Sequence, residues 1–462
     1  MPMRSETMTH RLADFARGLH LPNVPTEVRT QGKLSILDTL GCIFAGSQTP
    51  EASMLLTAER DGGGPCRVIG TSVSLRAQDA ARCNGYFGDI FELNDLTGGH
   101  AGIANVTAML ANAEELNASG DALLVATIVG IEVTTRIYNS LYSTLKPYSE
   151  CGMGMIGLAN TVGVAAGSAR LRNLNAEQTR AALDIAGGLA GWCPAEAIFG
   201  AGSSMKPLLF GAWPASVGLL AARYAGAGMS GPPSILDGEM GFSKTVSREL
   251  DAGAIEVDTW ALSRPRRKVH ACCGYIHSAL DTVSRQAPAE LENARAIRVR
   301  VAPYVMRVMG RSTPPRTSNE ARFHAQYCVA LAASGCPTIL PAHSEALERY
   351  LADPKLQQAY GRVTLDADDT LTHYHQTTIE IEGADGSVLR DANASPKGSP
   401  DNPMTDQEVA GKFHALADPV VGERRADEIQ ALIDGLSGAK PLDGLWAALG
   451  PPSSKARSSG AN

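Results

Sequence analysis

The sequence predicts a mainly α protein: a large all-α helical domain into which a smaller α+β domain is inserted. Three observations lead there. From about residue 9 to about residue 240, apolar side chains recur at helical spacing in segment after segment. After about Arg264 the texture changes to alternation with a period of two, as in the run AIRVRV that begins at Ala296. From Thr405 to Leu449 the helical spacing returns. The expected divisions are therefore 1–264 (helical), 265–398 (α+β) and 399–449 (helices returning to the first domain). The Pro-, Ser- and Gly-rich stretch 450–462 is expected to be a disordered tail.

Each element has its local signal. Thr9 opens an amphipathic pattern as a helix cap. Leu34, Leu37, Leu40 and Ile43 repeat at helical spacing, and residues 106–116 and 122–141 continue the theme. The run NAEQ from Asn175 is an N-terminal capping signal. Gly64-Pro65 and Gly231-Pro232 mark loops. In the second region, residues 360–366 read as a strand and 318–333 as an Ala-rich helix. TIEIE from Thr378, GADG from Gly383 and SVLR from Ser387 read as a β-hairpin.

Composition excludes several classes. The 462-residue chain carries a net charge of −7, which disfavours a nucleic-acid partner, since that needs a basic face. The apolar runs 122–131 and 207–222 fall short of the roughly 18 residues a membrane span needs. The first nine residues are polar and carry no secretory signal. Nine cysteines, an odd number without framework spacing, fit free thiols in a reducing cytoplasm.

Four segments carry candidate chemistry. FELNDLTGGHAG at 91–102 gathers Glu92, Asp95 and His100 in one glycine-bearing turn, and a carboxylate beside an imidazole tunes a general base. A capped loop with solvated acids would read the same way. GAGSSMKPLLFG at 200–211 isolates one lysine, Lys206, suited to a carboxylate or to proton transfer, or else to snorkelling at a helix start. RPRRKVHACCGYIHSALD at 264–281 places Arg264, Arg266, Arg267 and Lys268 before Cys272, Cys273 and two histidines, His270 and His277. Its spacing does not match zinc sites, so no metal is expected, and the cations suit an anion or a solvated face. EARFHAQYCVA at 320–330 puts His324 and Tyr327 on one helical turn, where ordinary packing is the alternative. The pair His373 and His375 lacks a carboxylate partner and reads as structural.

In their order and spacing these segments resemble the MmgE/PrpD family, which includes 2-methylcitrate dehydratase, cis-aconitate decarboxylase and iminodisuccinate epimerase. LDTLGCIFAG at 37–46, Gly70 within CRVIG, GMSGPPSILDGEMGF at 228–242 and RKVHACCGYIH at 267–277 carry the likeness along nearly the whole chain. The resemblance implies a helical domain with an α+β lid, an active site in the cleft between them, a homodimer, and neither metal nor organic cofactor. It assigns Glu92, Asp95 and His100 to the acid–histidine turn. Lys206 becomes the family lysine, Lys268 with Cys272, Cys273 and His277 the hinge, and Tyr327 the tyrosine. One family histidine is missing: its place near Gly154 reads CGMGMIGLANT at 151–161.

The implied function is a cofactor-free lyase acting on a small polycarboxylate through an enolate-like intermediate, by dehydration or decarboxylation. An epimerase of a dicarboxylate and a non-catalytic polycarboxylate-binding protein are the alternatives. On this reading His100, oriented by Asp95 or Glu92, moves the proton. Lys206 and Lys268 hold carboxylates, and His277 and Tyr327 orient the substrate or return a proton.

Overall fold

The structure is a computed structural model describing residues 7–200, 205–256, 258–438 and 441–451. The expected tail from residue 452 onward lies outside the described residues. The chain is mainly α. After α1 (Met8–Gly18) and α2 (Thr26–Gly46) comes a short ribbon of β1 (Cys66–Arg67) and β2 (Ser74–Leu75). Next are α3 (Ala77–Asp89), α4 (Ala101–Glu115), α5 (Gly120–Tyr142), α6 (Ile156–Leu171), α7 (Ala176–Leu189) and α8 (Trp213–Gly226). α5 packs along α6, and α6 along α8, through Ala, Gly, Val and Thr side chains that are almost all buried.

Caps decide where these helices begin. Asn175 and Gln178 form the expected reciprocal capping box, at 2.9 and 3.1 Å. Ser119 caps α5 by accepting from the Ala122 amide. α4 begins at Ala101, five residues before the apolar pattern, because the turn ahead of it supplies left-handed residues that end in His100.

The second region contains α9 (His277–Ser284), β3 (Ala294–Val301), α10 (Ala325–Ala333), β4 (Val363–Ala367), β5 (Thr377–Gly383) and β6 (Val388–Asn393). The four strands form one sheet in the order β4-β3-β5-β6. β3 and β4 are parallel, and the other two pairs are antiparallel. Ile297, Val299, Val301, Ile379 and Ile381 point into a second core with α9 and α10. The opposite face carries cross-strand ion pairs, Arg298–Glu380 at 2.8 Å and Arg390–Glu380 at 3.0 Å. The helix expected over 318–333 is broken into Ser318–Arg322 and α10, because the His324 side chain accepts from the Tyr327 amide at 3.2 Å and starts a new helix. His373 and His375 lie just before β5.

α11 (Asp406–Val421), α12 (Glu423–Asp434) and α13 (Asp443–Leu449) close the chain. α11 lies along α2, and Phe413, Ile429 and Leu445 join the first core. Among the described residues no helix is long and apolar enough to cross a membrane.

One close approach positions the Lys206 segment against α3. The helix meets the π-turn Leu208–Ala212 where Gly85 faces Gly211. A Cβ on Gly85 would lie 2.5 Å from the Gly211 carbonyl oxygen, a backbone atom that cannot swing away. Gly85→Ala is therefore expected to destabilise the protein by about 1–3 kcal/mol, as overpacking does. Urea denaturation checks this, and an unchanged midpoint would contradict the contact.

Candidate active site

The turn between α3 and α4 is built from strained and permissive residues. Glu92, Gly98, Gly99 and His100 all have positive φ, at 54°, 51°, 69° and 73°. For Glu92 and His100 such a conformation costs about 1–3 kcal/mol and persists only where neighbours impose it. The neighbours are specific. Leu96 donates its amide to the Arg266 carbonyl at 2.8 Å, and Arg266 donates back to the Thr97 hydroxyl at 3.0 Å. Asn160 of α6 donates to the His100 carbonyl at 3.1 Å. Lys412 of α11 donates to the Leu93 carbonyl and pairs with Asp38, both at 2.7 Å. Asn160 donates to the Phe210 carbonyl as well, at 3.0 Å, so these contacts bring the turn, the 264–268 run and the Lys206 segment together.

At that point two lysines and two carboxylates form a closed set. Glu92 lies between Lys206, paired through Oε1, and Lys268, whose Nζ sits 2.6 Å from Oε2. Lys206 also pairs with Asp89, the last residue of α3. None of the four is more than 3% exposed, so each needs its partners to remain charged. Burial alone would raise the Glu92 carboxyl, but Lys206 and Lys268 more than reverse this and hold it well below the usual range. Asp89 is pushed up to about 6 by burial, with Lys206 opposing and Glu92 reinforcing the rise. Burial would lower the Lys206 ammonium, yet Asp89 and Glu92 raise it. With both acids ionised the set is neutral. His100 stands beside it, its ring 5.3 Å from that of Phe210, with Lys206 Nζ 4.7 Å from the same ring. Burial, Lys206 and Lys268 together hold His100 well below the usual imidazole value, so it is neutral at pH 7.

The structure brings together four of the sequence candidates, Glu92, His100, Lys206 and Lys268, and redistributes the others. Neither Asp95 nor Glu92 orients His100. Its Nδ1 is hydrogen-bonded to Asn94 Oδ1 at 3.0 Å. Asp95 instead accepts from the Gly102 amide at 3.0 Å, serving one of the free N–H groups at the start of α4. Its carboxyl is pushed up to about 7 by burial and by Asp38. His277 is hydrogen-bonded through Nε2 to the Cys272 carbonyl, 3.2 Å away, and lies edge-on to His270. Cys273 is buried beside the set, and burial together with Glu92 pushes its thiol up to about 12. Burial and Cys328 raise the Cys272 thiol well above its ordinary value. Tyr327 is committed elsewhere: its hydroxyl donates to the His343 carbonyl at 2.6 Å within the second core. The position near Gly154 faces Ile198, Cys193 and Tyr148, with no imidazole among these neighbours. Residues 201–204, just ahead of Lys206, lie outside the described residues.

Sequence reasoning missed Asp89, Asn94, Arg322 and Lys412. Asp89 had a weak signal, since it is an acid at the end of a helix only three residues before Glu92. Arg322 donates to the Ile90 carbonyl at 2.7 Å and lies over the Phe91 ring, tying the second region to the turn. Among the described residues no three His, Cys, Asp or Glu side chains gather as a metal-binding group.

Comparison with known proteins agrees with this arrangement of segments. The MmgE/PrpD N-terminal domain matches residues 10–253, and the MmgE/PrpD C-terminal domain matches residues 270–437. The chain belongs to the MmgE/PrpD family. Among MmgE/PrpD relatives, a cis-aconitate decarboxylase-like protein of Aspergillus oryzae is 26% identical over 95% of this chain and 96% of its own length. A cis-aconitate decarboxylase of Aspergillus terreus is 26% identical over 96% of each chain. The Homo sapiens cis-aconitate decarboxylase is 24% identical over 98% of this chain and 96% of its own. The two MmgE/PrpD matches meet between residues 253 and 270, and Lys268 and its three preceding arginine neighbours lie within that interval.

The ion-pair set has a testable energetic signature. Glu92→Gln leaves the buried Lys268 ammonium without its carboxylate and Lys206 with Asp89 alone, and breaking a buried pair costs about 3–5 kcal/mol. That loss is expected in urea denaturation at pH 7. The pH dependence comes from the two carboxyls. Glu92 is lowered from 4.5, so its stabilisation is present above that value and lost as pH falls through the depressed one. Asp89 is raised from 3.8, so its contribution is complete below that value and lost as pH rises through about 6. Glu92→Gln should therefore remove part of the acid-side loss of stability, and an acid limb identical to wild type would contradict the pairing.

Proposed function

We propose that this protein is a cofactor-independent lyase of a small polycarboxylate, with cis-aconitate decarboxylation as the first reaction to test. The observation that carries the reading is the pair of buried ammonium groups, Lys206 and Lys268, converging beside a neutral His100. Losing carbon dioxide, or losing a proton next to a carboxylate, leaves negative charge delocalised onto that carboxylate. Fixed cations in a water-poor site stabilise this charge far more than water does. Elimination would use the neutral His100 as base. In decarboxylation His100 would first take a proton from water at its free ring nitrogen and then give that proton to the carbanion, returning to the neutral form.

Substrate must enter a set that is closed in this state. We assign that opening to the inserted α+β region, 265–398, moving as a lid over the helical part. The backbone contacts between the 264–268 run and the turn at Leu96 and Thr97 form the hinge side. The four cations of that run then have different tasks. Arg264 is exposed and pairs with Asp401, Arg266 reaches Tyr374, Arg267 holds Gln31, and Lys268 faces Glu92. The nine cysteines, all free, fit a reducing cytoplasm, and we assign a homodimer as the working form.

Incubation with di- and tricarboxylates, cis-aconitate first, followed by proton NMR in deuterated water separates the outcomes. Carbon dioxide loss or elimination supports the lyase. Solvent exchange into recovered substrate without net change would instead mean an isomerase. Ligand binding without any turnover would mean a binding protein. On the active substrate, His100→Ala and Lys206→Ala are each expected to lower kcat about 10²-fold or more. Lys268→Ala is expected to raise KM, and Arg264→Ala to leave it unchanged. Equal small effects at both positions would remove Lys268 from the site.

A further inference from the structure

We propose that Asp89 and Asn94 are positioning residues that fix His100 in the Nδ1–H form, leaving Nε2 as the atom that exchanges a proton with substrate. The inference rests on the proposed lyase reading for its kinetic part only, because its structural part concerns the free protein.

The orientation is set at the carboxylate. Asp89 Oδ1 receives the Lys206 ammonium and, at 2.7 Å, the Asn94 Nδ2 amide. An ionised carboxylate only accepts, so the Asn94 amide must turn its NH2 toward Asp89. Its carbonyl then faces the other way, and it is the Asn94 Oδ1 atom that lies 3.0 Å from His100 Nδ1. A carbonyl oxygen also only accepts, so Nδ1 must carry the proton. In a neutral imidazole the other nitrogen then holds the lone pair. Among the described residues no hydrogen bond engages Nε2. All three residues are buried, so water does not compete for these bonds.

The arrangement couples two functions through one oxygen atom. Asp89 Oδ1 holds the cation that would neutralise developing charge and also selects the tautomer of the base. The left-handed backbone at His100 presents the ring to Asn94, which gives its strain a purpose. Asp89 Oδ2 is buried and has no hydrogen-bond partner among the described residues, so the orientation rests on Oδ1.

The test is nitrogen-15 NMR of the full chain labelled at histidine, with the His100 signal identified by its loss in His100→Gln. In the wild-type protein near neutral pH the expected state is a protonated Nδ1 and a bare Nε2; a proton on Nε2 overturns the proposal. Asn94→Ala removes the acceptor while leaving the lysine–carboxylate pairs in place. It is expected to give a mixture of tautomers and, on an active substrate, a kcat lower by about 10²-fold with KM little changed. An unchanged single Nδ1–H signal, or unchanged kcat, overturns it. Asp89→Asn keeps an accepting oxygen in the same place and should preserve the tautomer, whereas Asp89→Ala should not. Identical tautomer populations in those two variants would also overturn it. If no polycarboxylate is turned over, the lyase reading fails, and the tautomer measurements still decide the positioning role.

Discussion

Glu92 accepting an ammonium group on each of its oxygens is the interaction on which the rest of the site depends. A single carboxylate joins Lys206, delivered by the segment before α8, to Lys268, delivered by the run that leads into the α+β region. Lys268 has no other carboxylate partner among the described residues, and Lys206 would keep only Asp89. Breaking the link would leave charges in a medium where they are poorly screened. The left-handed backbone at Glu92 is the local strain that accompanies this reach.

Around that centre the protein distributes support among distant parts of the chain. α6 contributes Asn160 to the His100 carbonyl, the helix Ser318–Arg322 contributes Arg322 to the Ile90 carbonyl, and α11 contributes Lys412 to the Leu93 carbonyl. Each holds main chain rather than a side chain of the ion-pair set. The turn is therefore fixed from three sides while its side chains remain free to pair. The Gly85–Gly211 contact plays the same part for Lys206, because any side chain there would push the π-turn away from α3.

Much of this was legible in the sequence, and the reasons for the gaps are physical. Periodicity revealed the helical first region, the sheet and the helical end, because burial of one face imposes a repeat. Residue type and isolation singled out His100, Lys206, Lys268 and Glu92, since charged groups in apolar or glycine-bearing stretches need partners. What could not be read was direction. Asp95 is one residue from Asn94, and only the path of the turn decides which of them meets His100 and which meets Gly102. Tyr327 stood on the right helix, but the break at His324 carries its hydroxyl to the His343 carbonyl. Asp89 was passed over because a single acid at a helix end is ordinary until a lysine 117 positions later returns to it.

The hold of Lys412 on the Leu93 carbonyl spans 319 positions in sequence. A ribosome adding about 5–20 residues per second needs on the order of tens of seconds to cover that distance. During that interval the turn carrying Glu92 and His100 is already outside the ribosome, without the helix that braces it. The full set of contacts on the turn exists only once α11 has emerged and lies along α2. Complete bracing of the turn thus waits for residue 412, long after the turn itself has been made.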